Sequence, residues 1–207
     1  MNIPVVYEDD WLLIANKPSG LLTIPTPKKE TRTLTSILNE DSVQRGFLYR
    51  LHPCHRLDKD TSGLIIYAKG KSAQQKMMAL FKESKIKKTY LAFVSGHLEK
   101  TQGVIASPIE GQEAASEYRV IEKRQGFVVV EVRPLTGRTN QIRIHFLALG
   151  HPVLGETKFA FRRDFAIKAK RLCLHAKALE FMHPFTPQLV HVEAELPPEL
   201  KEFLRSH

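Results

Sequence analysis

The sequence lacks the features that would place it in a membrane or in a secretory pathway. No apolar run comes near the roughly 20 residues that a membrane-spanning helix needs. The first ten residues, MNIPVVYEDD, are acidic, whereas a secretory leader begins with basic residues. Internal repeats and low-complexity tracts are also missing. We therefore expect a cytoplasmic globular protein that makes no contact with a membrane.

Cysteine is scarce, and no metal-binding spacing accompanies it. The two cysteines, Cys54 and Cys173, lie far apart without a CxxC pair, so neither a disulfide framework nor a zinc ribbon is indicated. The 9 histidines invite a metal hypothesis, since His52 and His55 flank Cys54 closely. However, the sequence contains no HExxH segment either. We expect no metal site.

Acidic residues are outnumbered by basic ones. There are 22 of the former and 31 of the latter, which gives a formal net charge of +9. Such an excess favours a polyanionic partner, because each neutralised phosphate releases condensed counterions. Two basic clusters are interleaved with apolar residues, so we interpret them as phosphate-contacting faces; they are Lys82, Lys85, Lys87 and Lys88, and Arg162, Arg163, Lys168, Lys170 and Arg171. Charge alone leaves open a basic surface without a ligand.

Length and periodicity together indicate one folded domain. The chain has 207 residues, of which 43% are hydrophobic, and this suits a single domain over residues 1–207. The patterns predict strands at 5–7, 11–16, 64–68, 89–94, 117–122, 127–133, 172–179 and 189–195, helices at 33–39, after Ser72, at 141–149 and at 199–205, and irregular chain at 18–29 and 46–54. Without regular βαβ alternation, this order predicts an α+β fold with a mixed, mainly antiparallel sheet.

Residues 55–64, HRLDKDTSGL, carry the clearest chemical pattern. Arg56 lies two residues before Asp58, and Asp60 lies two residues after it. The apolar run that follows is typical of a buried strand, so Asp58 occupies an irregular segment beside the core, where folds tend to place reacting side chains. A turn in which Asp60 bonds the nearby backbone would explain the DTSG part alone. It would not explain why Arg56 and Asp58 flank an apolar residue.

This segment and four others resemble, in order, the motifs of the RluA-type family of RNA pseudouridine synthases. They are DWLLIANKPSGLL at 10–22, HRLDKDTSGLIIYAK at 55–69, KTYLA at 88–92, TGRTNQIRIH at 136–145 with GHPVLG at 150–155, and RLCLHA at 171–176 running to HP at 183–184. One departure is Asn140, where the family more often has histidine. An asparagine can still cap the helix predicted there and donate a hydrogen bond.

The resemblance implies that the chain converts uridine to pseudouridine within structured RNA, either ribosomal RNA, transfer RNA or both. In that reaction the C1′–N1 bond breaks, the uracil turns, and C1′ rejoins the base through C5. No cofactor is implied. The fold implied is pseudouridine synthase-like, with a central catalytic cleft. Many relatives carry an S4-type RNA-binding module ahead of the first hairpin; here the hairpin begins almost at once, so we expect a catalytic domain alone, acting as a monomer.

The resemblance also implies roles for individual residues. Asp58 is the expected catalytic carboxylate, either as nucleophile at C1′ or as base at C2′. Arg143 is its expected charge partner, since a guanidinium can hold a carboxylate ionised through two hydrogen bonds. Tyr90 is expected to stack on the uracil, and Arg56 to enter the RNA as the uridine leaves its stack. Leu174 and His55 are the remaining expected substrate-binding residues: Leu174 would line the pocket and His55 would hydrogen-bond around it.

Three of these residues have a plainer interpretation. In isolation Arg143 would be a surface residue of a helix, Tyr90 a sheet aromatic and Leu174 a core side chain. Two other functions use the same features: a non-catalytic RNA-binding protein, or a metal-dependent nuclease with Asp58 and Asp60 as its carboxylates. The first would tolerate loss of the motif residues, all of which are present. The second needs a further acidic cluster, which the segment lacks.

Overall fold

The computed structural model describes residues 1–28 and 30–207, with Arg162 described by its backbone alone. Two residues named above are affected: Lys29, at the end of the predicted loop, and the side chain of Arg162 lie outside the described residues. The rest forms two compact units. The first unit consists of Met1–Lys87 and Ala178–Ala194, and the second of Lys88–Lys177 and Glu195–His207. None of the helices in the described ranges has the length and apolar character needed to cross a membrane.

The first unit is an antiparallel arrangement of strands with two helices. Its strands are β1 (Val5–Glu8), β2 (Leu12–Lys17), β3 (Leu51–Pro53), β4 (Ser62–Lys69), the later part of β9 (Leu174–Met182) and β10 (Leu189–Glu193), and its helices are α1 (Leu34–Gln44) and α2 (Lys71–Lys82). Strand β2 pairs with β1 and β4, β3 pairs with β4, and β10 pairs with β9. Two irregular segments lie beside β4: residues 18–23, which follow Asn16 and Lys17 and are called the NKP loop below, and residues 54–61.

Strand β4 is buried on both faces because its alternate residues belong to different cores. Leu64 and Ile66 pack in one cluster with Met77 of α2. Ile65 and Tyr67 pack in another, with residues of α1. The strand is apolar on both faces because a helix packs on each side of it. The loop that precedes β4 is therefore attached to a rigid strand.

Three expectations for this unit need correction. Helix α1 begins after Thr33, whose side chain accepts the Ser36 amide, but it continues to Gln44, five residues beyond the expected end. Ser72 lies inside α2 and caps nothing, since the helix begins after Gly70 without a side-chain cap. The segment 46–54 is not wholly irregular, because it contains β3.

The second unit holds the remaining strands and two further helices. They are β5 (Lys87–Ser95), β6 (Gln102–Ala106), β7 (Ala115–Arg124), β8 (Phe127–Pro134), the beginning of β9, α3 (Gln141–Ala148) and α4 (Pro198–Ser206), with a short 3-10 turn at Arg162–Asp164. Strand β8 pairs antiparallel with β5 and β7, and β7 pairs antiparallel with β6. The sequence patterns missed β6. The predicted α+β fold with a mixed, mainly antiparallel sheet is confirmed.

Helix α3 ends as expected and begins differently. Gly150 follows its last turn with φ +78°, the left-handed conformation that glycine adopts at helix ends. At the other end, Asn140 has φ +55° and its side chain makes no capping hydrogen bond, so the expectation that its side chain caps this helix is wrong. The side chain of Asn140 is engaged elsewhere, as described below.

Gly155 is the glycine that the second unit can least replace. It has φ +77°, and a Cβ at this position would lie 1.9 Å from the carbonyl oxygen of Arg171. We expect Gly155→Ala to lower the free energy of unfolding by more than about 3 kcal/mol, because the backbone must move. Gly150→Ala is the matched control: it has the same φ region but no atom within 4 Å, so it should cost roughly 1–2 kcal/mol. Urea unfolding measures both, and equal losses would contradict the close approach.

Candidate active site

The segment that carries Asp58 connects β3 to β4 in the first unit. Leu57 is buried and acts as an apolar anchor, while the side chain of Asp58 is half-buried and Arg56 is exposed. The amide of Thr61 donates to the carbonyl of Asp58 at 3.2 Å and closes the turn. Within the described residues the carboxylate of Asp60 makes no hydrogen bond, so the backbone forms this turn without it. Asp58 is thus held by its backbone, and the residue as a whole is half-buried.

Lys17, of the NKP motif, contacts the segment that carries Asp58. Its ammonium is fully buried and donates to three backbone carbonyls: Pro18 at 2.9 Å, Leu21 at 2.7 Å and Lys59 at 2.9 Å. A buried charge without such partners would be very costly, so these bonds fix both loops to the lysine. The bond to Lys59 fastens the residue next to Asp58.

Further bonds connect the same two loops. Gly20 donates its amide to the carbonyl of Lys59 at 2.9 Å, and Ser19 donates its hydroxyl to the carbonyl of Asp60 at 2.7 Å. Thr23 donates to the carbonyl of Leu57 at 3.0 Å. The residues on both sides of Asp58 are therefore fastened to the NKP loop, and Asp58 has little backbone freedom.

His55 is attached to the scaffold of the first unit. Its Nε2 accepts the amide of Ile66 in β4 at 3.0 Å, and its ring lies 4.9 Å from that of Phe81 in α2. These contacts tie the beginning of the Asp58 segment to the strand and helix behind it. A substrate-binding role for His55 stays a prediction.

In the second unit, Arg143 forms a buried ion pair with Glu156. Nε donates to Oε2 at 2.6 Å and one terminal nitrogen donates to Oε1 at 2.6 Å, which is the bidentate geometry that guanidinium and carboxylate groups favour. The two side chains are 6% and 1% exposed. The other terminal nitrogen donates to Oδ1 of Asn140 at 2.9 Å. The guanidinium is consequently fixed in one plane.

Glu156 is itself held by the loop that follows it. Its Oε1 accepts the backbone amides of Thr157 at 2.9 Å, Lys158 at 2.7 Å and Phe159 at 3.3 Å. Burial alone would raise the pKa of Glu156, but the hydrogen bonds from Arg143 and from these amides outweigh it, so the pKa lies below its ordinary value. Glu156 is therefore ionised at neutral pH and holds Arg143 as a full carboxylate.

The remaining polar residues of TGRTNQIRIH hold α3 in place. Gln141 donates to the carbonyl of Ala115 at 2.8 Å and to the hydroxyl of Ser116 at 2.9 Å. His145, one turn later, bonds Ser116 through Nδ1 at 3.0 Å and the carbonyl of Ser107 through Nε2 at 3.1 Å. Burial lowers the pKa of His145 despite the opposing bond with Ser107, so the ring is neutral. This side of the helix is scaffold, while Arg143 faces Glu156.

Tyr90 and Leu174 both pack with the main apolar cluster of the second unit. Tyr90 is on β5, half-buried and packed against the main apolar cluster of this unit. Leu174, the first residue of β9, is a buried member of that cluster. The structure thus places Leu174 in the core; a role for it in lining a pocket stays a prediction, as does stacking by Tyr90.

The described residues offer no evident metal site. Within residues 1–28 and 30–207, no group of three or more His, Cys, Asp or Glu side chains could hold an ion. Both cysteines are free, and burial raises the pKa of Cys54 and of Cys173 to about 12, which keeps the thiols protonated. The expectation that the protein needs neither a metal nor a cofactor stays a prediction.

The predicted site residues divide between the two units. His55, Arg56 and Asp58 belong to the first, whereas the second contains the other three, Tyr90, Arg143 and Leu174. The pairing of Asp58 with Arg143 stays a prediction.

The sequence analysis gave no role to Lys17 or to Glu156. Each had a signal: a lysine between an apolar strand and a Pro-Gly turn, and a carboxylate directly after the GHPVLG motif.

Comparison with known proteins gives concordant matches. The family model for RNA pseudouridylate synthase matches residues 11–148. The chain is 36% identical over 208 residues to the dual-specificity RNA pseudouridine synthase RluA of Pasteurella multocida, covering 93% of this chain and 92% of that one. It is 34% identical over 224 residues to the ribosomal large subunit pseudouridine synthase D of Nitrosomonas europaea, covering 99% of this chain and 65% of that one.

A solved structure supports the same assignment. Human RNA pseudouridylate synthase domain containing 1 superposes with a TM-score of 0.77 at 28% identity, covering 96% of this chain and 86% of that one. Human RNA pseudouridylate synthase domain containing 4 superposes with a TM-score of 0.81 at 23% identity over 97% and 91% of the two chains, which shows the shared fold. With the motifs and the matched segment, these likenesses show that the chain belongs to the RluA-type family of RNA pseudouridine synthases and is an isomerase.

Proposed function

We propose that this protein converts one or more specific uridines of structured RNA to pseudouridine, with Asp58 as the catalytic carboxylate. The RNA is ribosomal RNA, transfer RNA or both. Residues 1–207 act as a single catalytic domain, monomeric and cytoplasmic, with RNA as the only partner that the reaction requires.

The observation that carries this proposal is that hydrogen bonds hold the backbone on both sides of Asp58 in place. Bonds from Lys17 and from the NKP loop reach Leu57, Lys59 and Asp60, the residues on both sides of Asp58, which is itself half-buried. A reacting group gains from being held in position before the substrate arrives, because less entropy is then lost in reaching the transition state.

The isomerisation of uridine to pseudouridine requires an ionised carboxylate beside the sugar. As the C1′–N1 bond breaks and C1′ bonds to C5, the proton at C5 is lost and N1 gains one, so the product is an isomer of the substrate. Attack on C1′ and removal of the C2′ proton both need Asp58 ionised. In the proposal Arg143 supplies the positive charge that favours this form, and Tyr90 holds the uracil between the two steps.

The other residues act on the RNA. Arg56 is exposed beside the Asp58 turn and is proposed to occupy the space that the flipped uridine leaves, since an extruded base costs a few kcal/mol of stacking and pairing. Leu174 is proposed to contact the base from the apolar core. His55 is proposed to hydrogen-bond at the same site while it anchors the turn to β4.

The first test is the removal of one charge. Asp58→Asn keeps the size of the side chain but cannot act as a nucleophile or base. We expect a folded protein that binds RNA within a few-fold of the original and forms no detectable pseudouridine, because the lost interaction acts in the transition state. Tritium release from 5-³H-uridine transcripts of transfer and ribosomal RNA measures turnover, and filter binding measures affinity.

The matched control is Asp60→Asn, two residues away on the same turn. It should keep most of the activity, since the carboxylate of Asp60 bonds nothing among the described residues and the turn is held by the backbone. Near-normal tritium release by Asp58→Asn would show that another group performs the reaction.

A second test concerns the support of Arg143. Glu156→Gln leaves a buried guanidinium without its counter-charge, so we expect a loss of about 3–5 kcal/mol in the free energy of unfolding at pH 7, and slower turnover. The folded pKa of Glu156 is lowered, so its contribution is fully present above the ordinary pKa of about 4.5 and is lost as the pH falls through the folded value. The difference between the two proteins should therefore shrink below pH 4.5.

Glu195→Gln provides the control for this experiment. Glu195 also pairs with a cation, Lys201 of α4, but its side chain is 87% exposed. An exposed pair contributes little to stability, so this variant should unfold like the original. If Glu156→Gln is also unaffected at pH 7, the buried pair does not hold this part of the second unit together.

The basic clusters are tested by salt dependence. Two members of the predicted faces, Lys85 and Lys87, already pair with Glu83 and Glu180 at 2.7 Å, so they are poorer choices than the exposed Lys82 and Lys170. Replacing either of the exposed pair by alanine should make the slope of log K against log salt shallower by about 0.7–0.9.

Lys201→Ala, outside both clusters, should leave that slope unchanged. Filter binding to the same RNA between low and moderate salt measures all three variants. Identical slopes for Lys82→Ala, Lys170→Ala and the unaltered protein would remove the case for phosphate contacts at these faces.

A further inference from the structure

Three phenylalanines follow Glu156, and the structure places each differently. Phe165 is 4% exposed and packs in the core of the second unit. Phe159 is half-buried. Phe161 is 68% exposed. Packing in the core accounts for Phe165 and for part of Phe159, but it does not account for the exposed ring of Phe161.

The exposed ring is presented on an ordered turn. The amide of Phe161 donates to the carboxylate of Asp164 at 2.8 Å, and the amide of Asp164 donates back to the carbonyl of Phe161 at 2.9 Å. Phe165, the next residue, anchors the end of the turn in the core. The position of Phe161 is therefore determined before any ligand arrives, which lowers the cost of binding to it.

Cations lie against the aromatic faces of this segment. The guanidinium of Arg163 is 5.0 Å from the centre of the Phe161 ring, and its side chain is 82% exposed. The ammonium of Lys158 lies 4.9 Å from the ring of Phe159. Exposed rings combined with cations are the features by which proteins bind unpaired nucleic acid, since every base has a face to stack and a phosphate beside it.

The segment is also joined to the candidate site. The guanidinium of Arg143 lies 5.2 Å from the ring of Phe159, and Glu156 binds both Arg143 and the amide of Phe159. Two residues of extended chain span at most about 7 Å, so Phe161 lies a short distance along the chain from these contacts. A base stacked on it would belong to a nucleotide close to the one that Arg143 serves.

We propose that Phe161 and Arg163 form a stacking platform for an unpaired base of the RNA, close in sequence to the target uridine. This inference rests on the proposed function, because it assumes that RNA is the substrate. It adds a requirement to that function: the target must have an unstacked neighbour, as a loop or bulge provides and a continuous duplex does not.

The test uses two RNA hairpins with the same stem. One has a loop of uridines, and the other has the same number of abasic nucleotides in the loop, so that the phosphates remain and the bases do not. Fluorescence anisotropy of labelled hairpins gives the affinity of the unaltered protein and of Phe161→Ala, Phe161→Leu and Phe161→Trp. Val104→Ala, which truncates another exposed apolar side chain of the second unit, is the control.

We expect the alanine and leucine variants to bind the uridine loop at least about fivefold more weakly, because one base–aromatic stack is lost. Their affinity for the abasic loop should not change. Phe161→Trp should bind the uridine loop like the unaltered protein, and its indole fluorescence should be quenched on binding. Val104→Ala should behave like the unaltered protein on both hairpins.

Three results would overturn the platform: a leucine variant as good as phenylalanine, equal losses on the two hairpins, or no loss at all. The first would mean that an apolar contact suffices, and the second that the bases take no part. Failure of the proposed function is read separately, from tritium release by the unaltered protein. Isomerase activity of the unaltered protein together with unimpaired binding by Phe161→Ala would contradict the stacking platform and still support the proposed function.

Discussion

The organisation of the second unit depends on one buried ion pair. Burying a guanidinium and a carboxylate removes both from water, and their attraction repays that cost only if the remaining donors and acceptors are satisfied. Here three backbone amides complete the shell of Glu156, and Asn140 completes part of that of Arg143. The pair thereby fixes the beginning of α3 and the loop from Gly155 to Phe159 relative to each other.

The first unit positions its loops around one buried charge instead of a buried ion pair. Lys17 is surrounded by carbonyls of two loops, so the cation that would be costly when bare becomes the centre from which both loops are positioned. In both units backbone groups satisfy a buried charge: carbonyls surround Lys17, and three amides donate to Glu156. Backbone partners do not depend on which residues occupy those positions, so the loops can vary in sequence while the geometry stays.

The sequence predicted most of the strands and helices, and it predicted less of the site. Periodicity identified β4 and β8 because each contains a near-continuous apolar run, LIIYA in β4 and FVVV in β8. It missed β6, where only one of five residues is buried. Motif resemblance pointed to Asp58 and Arg143. It gave no role to Glu156 or Lys17: both lie beside motifs, but the partners Arg143 and Lys59 that give them their roles are 13 and 42 positions away, a pairing that the local sequence does not report.

The close packing at Gly155 has an evolutionary consequence. Arg171 touches this position through its carbonyl, and Glu156, the next residue, carries the carboxylate that Arg143 needs. Aspartate in place of Glu156 would fall one methylene short of the guanidinium, and any side chain at 155 would push the carboxylate away from it. A substitution at any one of the positions 143, 155 and 156 is therefore felt by the other two, because all three serve the same buried ion pair.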